Sequence, residues 1–416
     1  MQLSDIDLLD RDRFTQGIPH DWFTFLRREA PVYFHPEPDG PGFWVITKHE
    51  DVVAVGRDGT TFSSSQDRGG VVALEGPTES SEMDPGGNLM LTMDAPEHTR
   101  YRKLVNHGFT PRRVAALEPH IRQLTNQTLD EVIEAGECDF VVDVAAELPL
   151  QVIAEMLGVP REDRHKIFEW SNRMVGSEDP EYIVADSEVQ AAQVEMFMYA
   201  NELAQQRRAK PRDDIVTALL DAEVDGDRLS EMDFNMFFLL LSVAGNETTR
   251  NSIAHGMLAF LDNPGQYQAL VDDPSLAASA TEEIVRWASP VMYFRRNVTR
   301  DVEIRGQQIK AGDKVSIWYV SANRDEDVFD DPFRFDIRRD PNDHIGFGGG
   351  GPHHCLGANL ARMEIRVLFE ELARRMPKIE RAGQTEHLRS NFIGGIKHLP
   401  VRFTPGARET TAPESG

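Results

Sequence analysis

The sequence has few cysteines, few basic residues and no long apolar run, and each shortage excludes a class of protein. Two cysteines in 416 residues exclude a disulfide scaffold, a tetracysteine iron–sulfur cluster and a zinc ribbon. The 44 Lys and Arg residues against 69 Asp and Glu give a formal net charge of −25. That excess argues against a nucleic-acid partner, since phosphate binding needs a clustered cationic surface. The longest strongly apolar run, Phe237 to Ala244, is too short to span a bilayer.

The sequence shows neither a targeting segment nor an internal linker. The N-terminal stretch MQLSDIDLLDRDRF is polar and acidic, unlike a signal peptide, so we expect a soluble cytoplasmic protein. No low-complexity tract interrupts the chain before the segment PGARETTAPESG, whose composition is typical of disorder. We therefore predict a single domain over residues 1–404 and a disordered tail over residues 405–416.

The pattern of apolar residues predicts a mainly α-helical fold with small β-sheets. PVYF and GFWVIT flank a turn-rich segment and indicate a hairpin, and DVEIRGQQIKAGDKVSIWY has the alternation of a small antiparallel sheet. Residues 63–95 are rich in Ser, Gly and Asp and indicate a long loop, which in a compact domain is usually functional. Apolar residues at three- and four-residue spacing predict helices from Pro96 onward.

Two predicted helices lie at the sequence segments most relevant to function. The longest begins at Ser230, where Ser230 and Asp233 form a capping box, and runs to Asn263. At 1.5 Å per residue it would be roughly 45 to 50 Å long, enough to cross the molecule. A last long helix, Gly357 to Met376, directly follows Cys355.

Six small or polar residues, GNETTR at 245–250, interrupt the long apolar helix. Six consecutive residues cover every face of a helix, so some of them must point into the protein unless the stretch is a solvated stripe. A buried Glu247 and Thr248 need hydrogen-bond partners. A Thr hydroxyl that bonds the carbonyl four residues back also favours a local bend. A bent helix with an acid and an alcohol inside is typical of a proton-delivery site.

Two charged pairs allow both a plain and a functional interpretation. Glu283 and Arg286 share a helix face and, taken alone, indicate a surface ion pair worth a few tenths of a kcal/mol. His98 and Arg102 share a face of another helix. They are either exposed cations near a helix start or a site for a ligand that carries carboxylates.

The segment FGGGGPHHC, residues 347–355, could bind phosphate, zinc or another group. The lysine and Ser/Thr of a phosphate loop are absent, and no spaced second pair of Cys or His completes a zinc site. A single cysteine directly before a helix is favoured as a thiolate by the helix dipole, and glycines let backbone amides approach its sulfur. Such a loop suits one anionic sulfur on a metal that brings its other ligands, and haem iron fits that description.

Four motifs together resemble the cytochrome P450 family of cysteine-ligated haem monooxygenases. They are FGGGGPHHCLG at 347–357, AGNETT at 244–249, EIVR at 283–286 and DPFRFDIRR ending at Arg339. They follow the family's order and spacing over nearly the whole chain. Phe347 lies eight residues before Cys355 rather than the usual seven, as in a subgroup of soluble bacterial members. The resemblance implies the cytochrome P450 fold, with haem between the long central helix and the cysteine loop and last helix.

The resemblance also implies roles for the matching residues. Cys355 would be the axial thiolate ligand of the iron, the arrangement that favours O–O cleavage in this family. The other residues at the haem, four of them at propionate-binding positions, would be His98, Arg102, Arg296, His353, Phe347 and Gly357. Glu247 and Thr248, with Ala244 and Gly245 before them, would relay protons to dioxygen, and Glu283, Arg286 and Arg339 would form a structural network.

The substrate is implied less directly. The chain is most similar to bacterial members that hydroxylate the terminal methyl of methyl-branched lipids and sterol side chains, but the matching stretches mostly surround the haem. The same chemistry on a terpene, a fatty acid or another secondary metabolite is the alternative. The apolar residues expected to line a lipophilic pocket, which could instead be ordinary core, are Val243, Val291, Met292, Phe392 and Ile393.

The family resemblance predicts heme b, O2 and outside electrons. No flavin or iron–sulfur domain follows the haem segment, so NAD(P)H would act through a separate ferredoxin and ferredoxin reductase on a monomer. Lys103, Arg112, Arg113 and Arg362 could form their docking patch. A peroxide-driven peroxygenase and a haem-based sensor are alternatives; the Glu247–Thr248 pair argues against the first, and the lack of a signalling domain against the second.

Overall fold

The computed structural model describes residues 1–76, 89–175, 179–182, 186–224 and 227–410. Helices dominate it, as predicted. The α-helices are α1 Arg11–Phe14, α2 His20–Glu29, α3 His49–Arg57, α4 Glu97–Asn106, α5 Pro111–Ala116, α6 Glu118–Val132, α7 Glu147–Met156, α8 Arg164–Val175, α9 Asp186–Ala209, α10 Ile215–Asp221, α11 Glu231–Asp262, α12 Pro264–Asp272, α13 Ala277–Ala288, α14 Tyr319–Ala322 and α15 Ala358–Arg375. None of the described helices combines the length and apolar character needed to cross a bilayer.

The strands are short and form small sheets. They are β1 Val32–His35, β2 Phe43–Ile46, β3 Phe62–Ser63, β4 Glu137–Asp139, β5 Glu223–Val224, β6 Asp227–Arg228, β7 Tyr293–Val298, β8 Val302–Ile304, β9 Gln307–Ile309, β10 Lys314–Trp318, β11 Ile379–Arg381, β12 Glu386–His387, β13 Ile396–His398 and β14 Pro400–Phe403. The largest sheet has the order β1-β2-β10-β7-β3, a second has the order β11-β14-β4, and β12-β13, β5-β6 and β8-β9 are two-stranded.

The sheets confirm one strand prediction and correct another. β1 and β2 form the predicted hairpin, with Val32 opposite Ile46. β8 and β9 also pair antiparallel. β10 does not join them, although the sequence pattern placed all three together. It is the central strand of the largest sheet, parallel to β2 and antiparallel to β7. There its buried backbone N–H and C=O groups find partners on both edges.

Helix α11 runs through the main hydrophobic core, and its predicted start is confirmed. The Ser230 hydroxyl accepts the Asp233 N–H, and the Asp233 carboxylate accepts the Ser230 N–H, which completes the capping box. Further along, a Cβ on Gly256 would lie 2.9 Å from Ile284 and 3.0 Å from Phe369. Glycine there lets α13 and α15 approach α11 closely.

The C-terminal segment is ordered further than the composition predicted. Residues 405–410 are described, and the N–H groups of Glu409 and Thr410 donate to the carboxylate of Asp130 on α6. Arg375 on α15 pairs with the same carboxylate. The predicted disordered tail therefore begins too early at residue 405, because a buried acid binds this backbone, and residues 411–416 lie outside the described part. Much of the predicted loop at 63–95 also does, since residues 77–88 are not described.

Candidate active site

Cys355 lies just before α15. Its thiol is accessible, yet burial raises its pKa, outweighing the Gly357 N–H bonded to the sulfur and the charges of Arg102 and Arg362. Accessible surface on a group so deeply placed indicates an internal space beside the sulfur. The Gly357 N–H at the start of the helix favours the thiolate, as the sequence predicted, but desolvation of the sulfur has the larger effect. A metal ion bound to the sulfur would remove the proton.

The glycines before Cys355 fit the loop against α3. Gly348 and Gly351 have positive φ angles of 92° and 85°, which L side chains rarely adopt. A Cβ on Gly351 would lie 2.6 Å from the Gly56 carbonyl oxygen. The loop is closed by the Cys355 N–H, which donates to the Phe347 carbonyl at 2.9 Å. The glycines thus serve close packing on α3, a role that the sequence did not suggest.

Two arginines and two histidines from three separate segments meet near Cys355. They are His98 and Arg102 on α4, Arg296 on β7 and His353 in the cysteine loop. The rings of His98 and His353 have centroids 4.2 Å apart. Burial lowers the pKa of all four, and nearby positive charges take that of His353 to about 3.

These four side chains have no acidic partner among the described residues. In the part of the chain that the structure describes, none of the four forms an ion pair, and the buried His98 Nδ1 has no hydrogen-bond partner. Asp94 is close, but its carboxylate accepts from the Ser63 hydroxyl and, at 2.8 Å, from the Ser64 N–H. Arg102 is half-buried and Arg296 is buried, and a charged guanidinium withdrawn from water without a partner is costly. The set therefore fits a ligand that brings carboxylates, as haem does.

The polar stretch of α11 lies inside the protein, as predicted. Asn246, Glu247 and Thr249 are buried, so the solvated-stripe alternative is wrong. Ala244 is accessible although it sits in a buried helix, which indicates an internal space at this turn. The Thr248 hydroxyl donates to the Ala244 carbonyl at 2.8 Å, the bond predicted to favour a bend, and the helix is continuous through this turn.

Glu247 has a partner that the sequence analysis missed. Its Oε2 accepts from Arg250, which also donates to Asn172 Oδ1 at 3.0 Å. Glu247 Oε1 is buried without a partner among the described residues. Burial raises the pKa of Glu247, and Arg250 opposes that shift only in part. The spacing of three residues could have indicated the Arg250 pair, whereas Asn172 comes from a distant helix.

Gly245 is turned away from this polar face. A Cβ on Gly245 would lie 3.1 Å from Ile153 on α7. Glycine therefore permits close packing of two helices at this position.

Glu283, Arg286 and Arg339 form a buried network behind the cysteine loop. Arg286 donates to both Glu283 oxygens at 2.8 Å, and both side chains are 0% exposed. Arg339 Nε lies 3.2 Å from Glu283 Oε2. The surface-pair interpretation is therefore wrong.

The neighbouring acid, Glu282, was not singled out from the sequence. It binds Arg362 at 2.7 Å and His344 at 3.0 Å. Arg362 also covers the Phe347 ring, with 4.4 Å from its guanidinium carbon to the centroid. One helix thus supplies adjacent acids to the network and to the cysteine loop.

The predicted pocket residues separate by burial. Val243, Val291 and Phe392 are partly exposed, and Ile393 is nearly buried. Met292 has no exposed surface, and it packs in an apolar cluster with residues of the N-terminal segment. The side chain thus presents no surface to a ligand in this conformation, and the assignment of these five residues to a substrate pocket stays a prediction.

Comparison with known proteins agrees with this architecture. The family model described as Cytochrome P450 matches residues 15–376. The steroid C26-monooxygenase of Rhodococcus jostii (strain RHA1) is 46% identical over 405 residues, covering 95% of this chain and 84% of that protein. The methyl-branched lipid omega-hydroxylase of Mycobacterium bovis is 44% identical over 414 residues, covering 97% and 95%. The structure of Mycobacterium marinum cytochrome P450 CYP268A2 in complex with pseudoionone has a TM-score of 0.89 and 41% identity, covering 96% and 98%.

The fold and the cysteine site define a haem-thiolate protein. This chain belongs to the cytochrome P450 family and is a monooxygenase. Membership implies a haem with a cysteine thiolate ligand and O2 as the second substrate. The predicted fold class and enzyme class are confirmed. The zinc alternative has no support, because no metal-binding cluster of His, Cys, Asp and Glu occurs among the described residues.

Proposed function

We propose that this monooxygenase binds heme b through Cys355 and hydroxylates a terminal methyl of a methyl-branched lipid or sterol side chain. The observation that carries the proposal is the cluster of two arginines and two histidines beside the accessible Cys355, with no carboxylate partner among the described residues. His98, Arg102, Arg296 and His353 would bind the propionates. Phe347 and Gly357 would close the loop around the sulfur.

The ligand assignment is tested by the carbon monoxide spectrum of the reduced protein. We expect the red-shifted band of a thiolate complex, and we expect Cys355→His to bind haem without that band. Cys138→Ser is the matched control, since Cys138 is the other free cysteine. A red-shifted band that survives in Cys355→His would disprove the assignment.

When bound, the haem supplies the chemistry that inserts one oxygen atom of O2 into a C–H bond. The protein's part is to deliver protons in a confined place. The raised pKa of Glu247 allows its unpartnered Oε1 to hold a proton. Thr248 Oγ, one residue along α11, would accept that proton and pass it on, while Arg250 binds the other carboxylate oxygen.

The proton route is tested by coupling efficiency. We expect Glu247→Gln and Thr248→Val to consume electrons but to divert about 10- to 100-fold more of them to peroxide. Ser242→Ala is the control, because this buried hydroxyl on the same helix donates to the Phe238 carbonyl at 2.8 Å. Unchanged coupling in both variants would refute the relay. Turnover with hydrogen peroxide but none with ferredoxin and reductase would favour the peroxygenase alternative.

The substrate class rests on two relatives at 44–46% identity whose names concern steroids and methyl-branched lipids. The similar structure that contains pseudoionone keeps a terpenoid substrate as the alternative. Titrations that follow the haem spin state distinguish them, using a sterol, a branched lipid, a linear fatty acid and pseudoionone. We expect the sterol or branched lipid to give the largest shift at the lowest concentration. A response to pseudoionone alone would replace this substrate class with terpenoids.

Electrons would come from NAD(P)H through a ferredoxin and its reductase. Lys103, Arg112 and Arg113 are exposed and could attract an acidic ferredoxin, whereas Arg362 is already engaged by Glu282. We expect Lys103→Glu and Arg112→Glu to slow reduction by ferredoxin, most strongly at low salt. Lys378→Glu, an exposed lysine after α15, controls for net charge. Equal rates in all three variants would exclude this patch.

A further inference from the structure

Polar side chains continue along α11 beyond the proposed proton route. Asn251 and His255 follow Thr248 by three and seven residues, so all three lie on one face of the helix. Asn251 has no exposed surface and His255 is only 8% exposed. Buried polar side chains need hydrogen-bond partners, because burying an unpartnered polar group costs free energy.

Both side chains bind the backbone of one distant loop, residues 390–396. Asn251 Oδ1 accepts the Ile396 N–H at 3.1 Å, and its Nδ2 donates to the Glu247 carbonyl at 2.9 Å. His255 Nε2 lies 2.9 Å from the Gly394 carbonyl oxygen. A carbonyl can only accept, so Nε2 carries the proton. Burial and the nearby His387 lower the pKa of His255 to about 3, which keeps the ring neutral.

The loop is also held from its other side. The Gly394 N–H donates to the Pro290 carbonyl at 2.9 Å, and the Met292 N–H donates to the Phe392 carbonyl at 2.9 Å. A Cβ on Gly395 would lie 2.9 Å from Leu388 and 3.3 Å from Asn251 Oδ1. Glycine at that position therefore lets α11 reach the loop backbone.

The loop carries predicted pocket residues. Phe392 is partly exposed and contacts the Phe294 ring, with centroids 5.7 Å apart. Ile393 forms a β-bridge with Val291, another predicted pocket residue. The helix face that presents Thr248 thus also fixes the position of the loop that carries these apolar side chains.

We propose that Asn251 and His255 are positioning residues that set which carbon of the substrate is oxidised. They do so by holding the loop that carries Phe392 and Ile393 at a fixed position relative to Thr248. The inference rests on the proposed function, because it assigns Thr248 to the reaction and the loop to the substrate wall. Displacing a reacting group by about 1 Å can change its rate by about two orders of magnitude. Loss of the His255 bond therefore changes the proportions of products more than the overall rate.

The test compares His255→Phe, His255→Gln and Tyr267→Phe. His255→Phe keeps the ring volume and removes the donor, and His255→Gln restores an N–H donor. Tyr267→Phe is the control, since it also deletes one buried bond to a backbone carbonyl, that of Met376 at 2.9 Å, on α12. The substrate is whichever compound gives the largest spin-state shift, and the readout is the ratio of terminal to subterminal alcohol.

We expect His255→Phe to change that ratio by at least about fivefold, with His255→Gln near the unaltered value and Tyr267→Phe unchanged. Amide hydrogen exchange of residues 388–396 is measured in parallel and does not depend on catalysis. We expect it to become about tenfold faster in His255→Phe. Asn251→Ala provides the same two readouts if His255→Phe does not fold.

An unchanged ratio and unchanged exchange in a folded variant would overturn the inference. So would an equal change of the ratio in Tyr267→Phe, since that would reduce the effect to lost stability. Failure of the proposed substrate class looks different: neither sterol nor branched lipid then shifts the spin state of the unaltered protein. The exchange comparison still decides whether His255 holds the loop.

Discussion

The Glu283 network and the cluster around Arg102 and Arg296 differ in how their charges are matched. In the first, the Glu283 carboxylate forms ion pairs with Arg286 and Arg339, and Arg286 also donates to the Asn323 carbonyl at 2.9 Å. In the second, the positive charges of Arg102 and Arg296 are buried among histidines with no carboxylate bonded to them in the described chain.

The difference separates a structural cluster from a binding cluster. A matched buried ion pair is complete within the protein, and removing one member leaves an uncompensated charge. A cluster of one sign is incomplete, so it is stable only when a ligand of opposite charge is present. The two clusters therefore respond oppositely to loss of one charge, and the predictions below compare those responses.

The largest effect is expected in the matched cluster. Glu283→Gln leaves two buried guanidinium groups facing a neutral amide, so we expect the free energy of unfolding to fall by about 3–5 kcal/mol. Urea unfolding followed by circular dichroism measures it. A loss below about 1 kcal/mol would place the Glu283 pair with ordinary exposed ion pairs.

A change in the cationic cluster is expected to act in two directions. Arg296→Met removes a buried charge that has no carboxylate partner, so the haem-free protein should become no less stable. Haem affinity should fall by about 10- to 100-fold, since one charge-assisted hydrogen bond is worth about 1.5–3 kcal/mol. Titration of the apoprotein with haem and parallel urea unfolding separate the two effects. Equal haem affinity, or a marked loss of apoprotein stability, would contradict the comparison.

Glu282, next to Glu283 on α13, gives a pH-dependent prediction. Burial raises its pKa, but hydrogen bonds from His344 and Arg362 outweigh this and bring the pKa from 4.5 to about 2. A folded-state pKa below the unfolded value means that the stabilisation is present above pH 4.5 and is lost as the pH falls toward 2. We expect Glu282→Gln to cost about 1–2 kcal/mol at neutral pH, discounted because the carboxylate is partly exposed.

Unfolding curves of Glu282→Gln and the unaltered protein between pH 7 and pH 3 check this prediction. The two free energies should converge as the solution becomes acidic, because protonation removes the same charge that the substitution removes. A constant difference across the range would mean that Glu282 stabilises the protein without its charge.

Sequence patterns predicted the elements better than their contacts. The hairpin of β1 and β2, the capping box at Ser230 and the helix after Cys355 depend on neighbours in the chain, and the structure confirms them. β10 was assigned to the wrong sheet because its partner β2 lies far away in sequence. The anchoring of residues 405–410 depends on Asp130, which no local pattern connects to them.

The candidate site shows the same division. His98 and Arg102 could be placed on one helix face from spacing alone, but their meeting with Arg296 and His353 was available only through the family resemblance. The Arg250–Asn172 contact and the bonds from Asn251 and His255 to residues 394 and 396 were not foreseen. A mid-helix polar residue indicates that a partner exists, since burial demands one, yet it does not say which distant backbone supplies it.

The smallest effect on the free energy of unfolding is expected at an exposed ion pair, which serves as the reference for the buried ones. Arg381 Nη2 lies 2.6 Å from Asp262 Oδ1, with side chains 40% and 59% exposed. Asp262 is the last residue of α11, where a negative charge interacts unfavourably with the helix dipole. The positive charge of Arg381 offsets part of that unfavourable interaction. Arg381→Ala should therefore lower the free energy of unfolding by no more than about 1 kcal/mol, and less in high salt. A loss as large as that of Glu283→Gln would mean that burial does not separate these pairs.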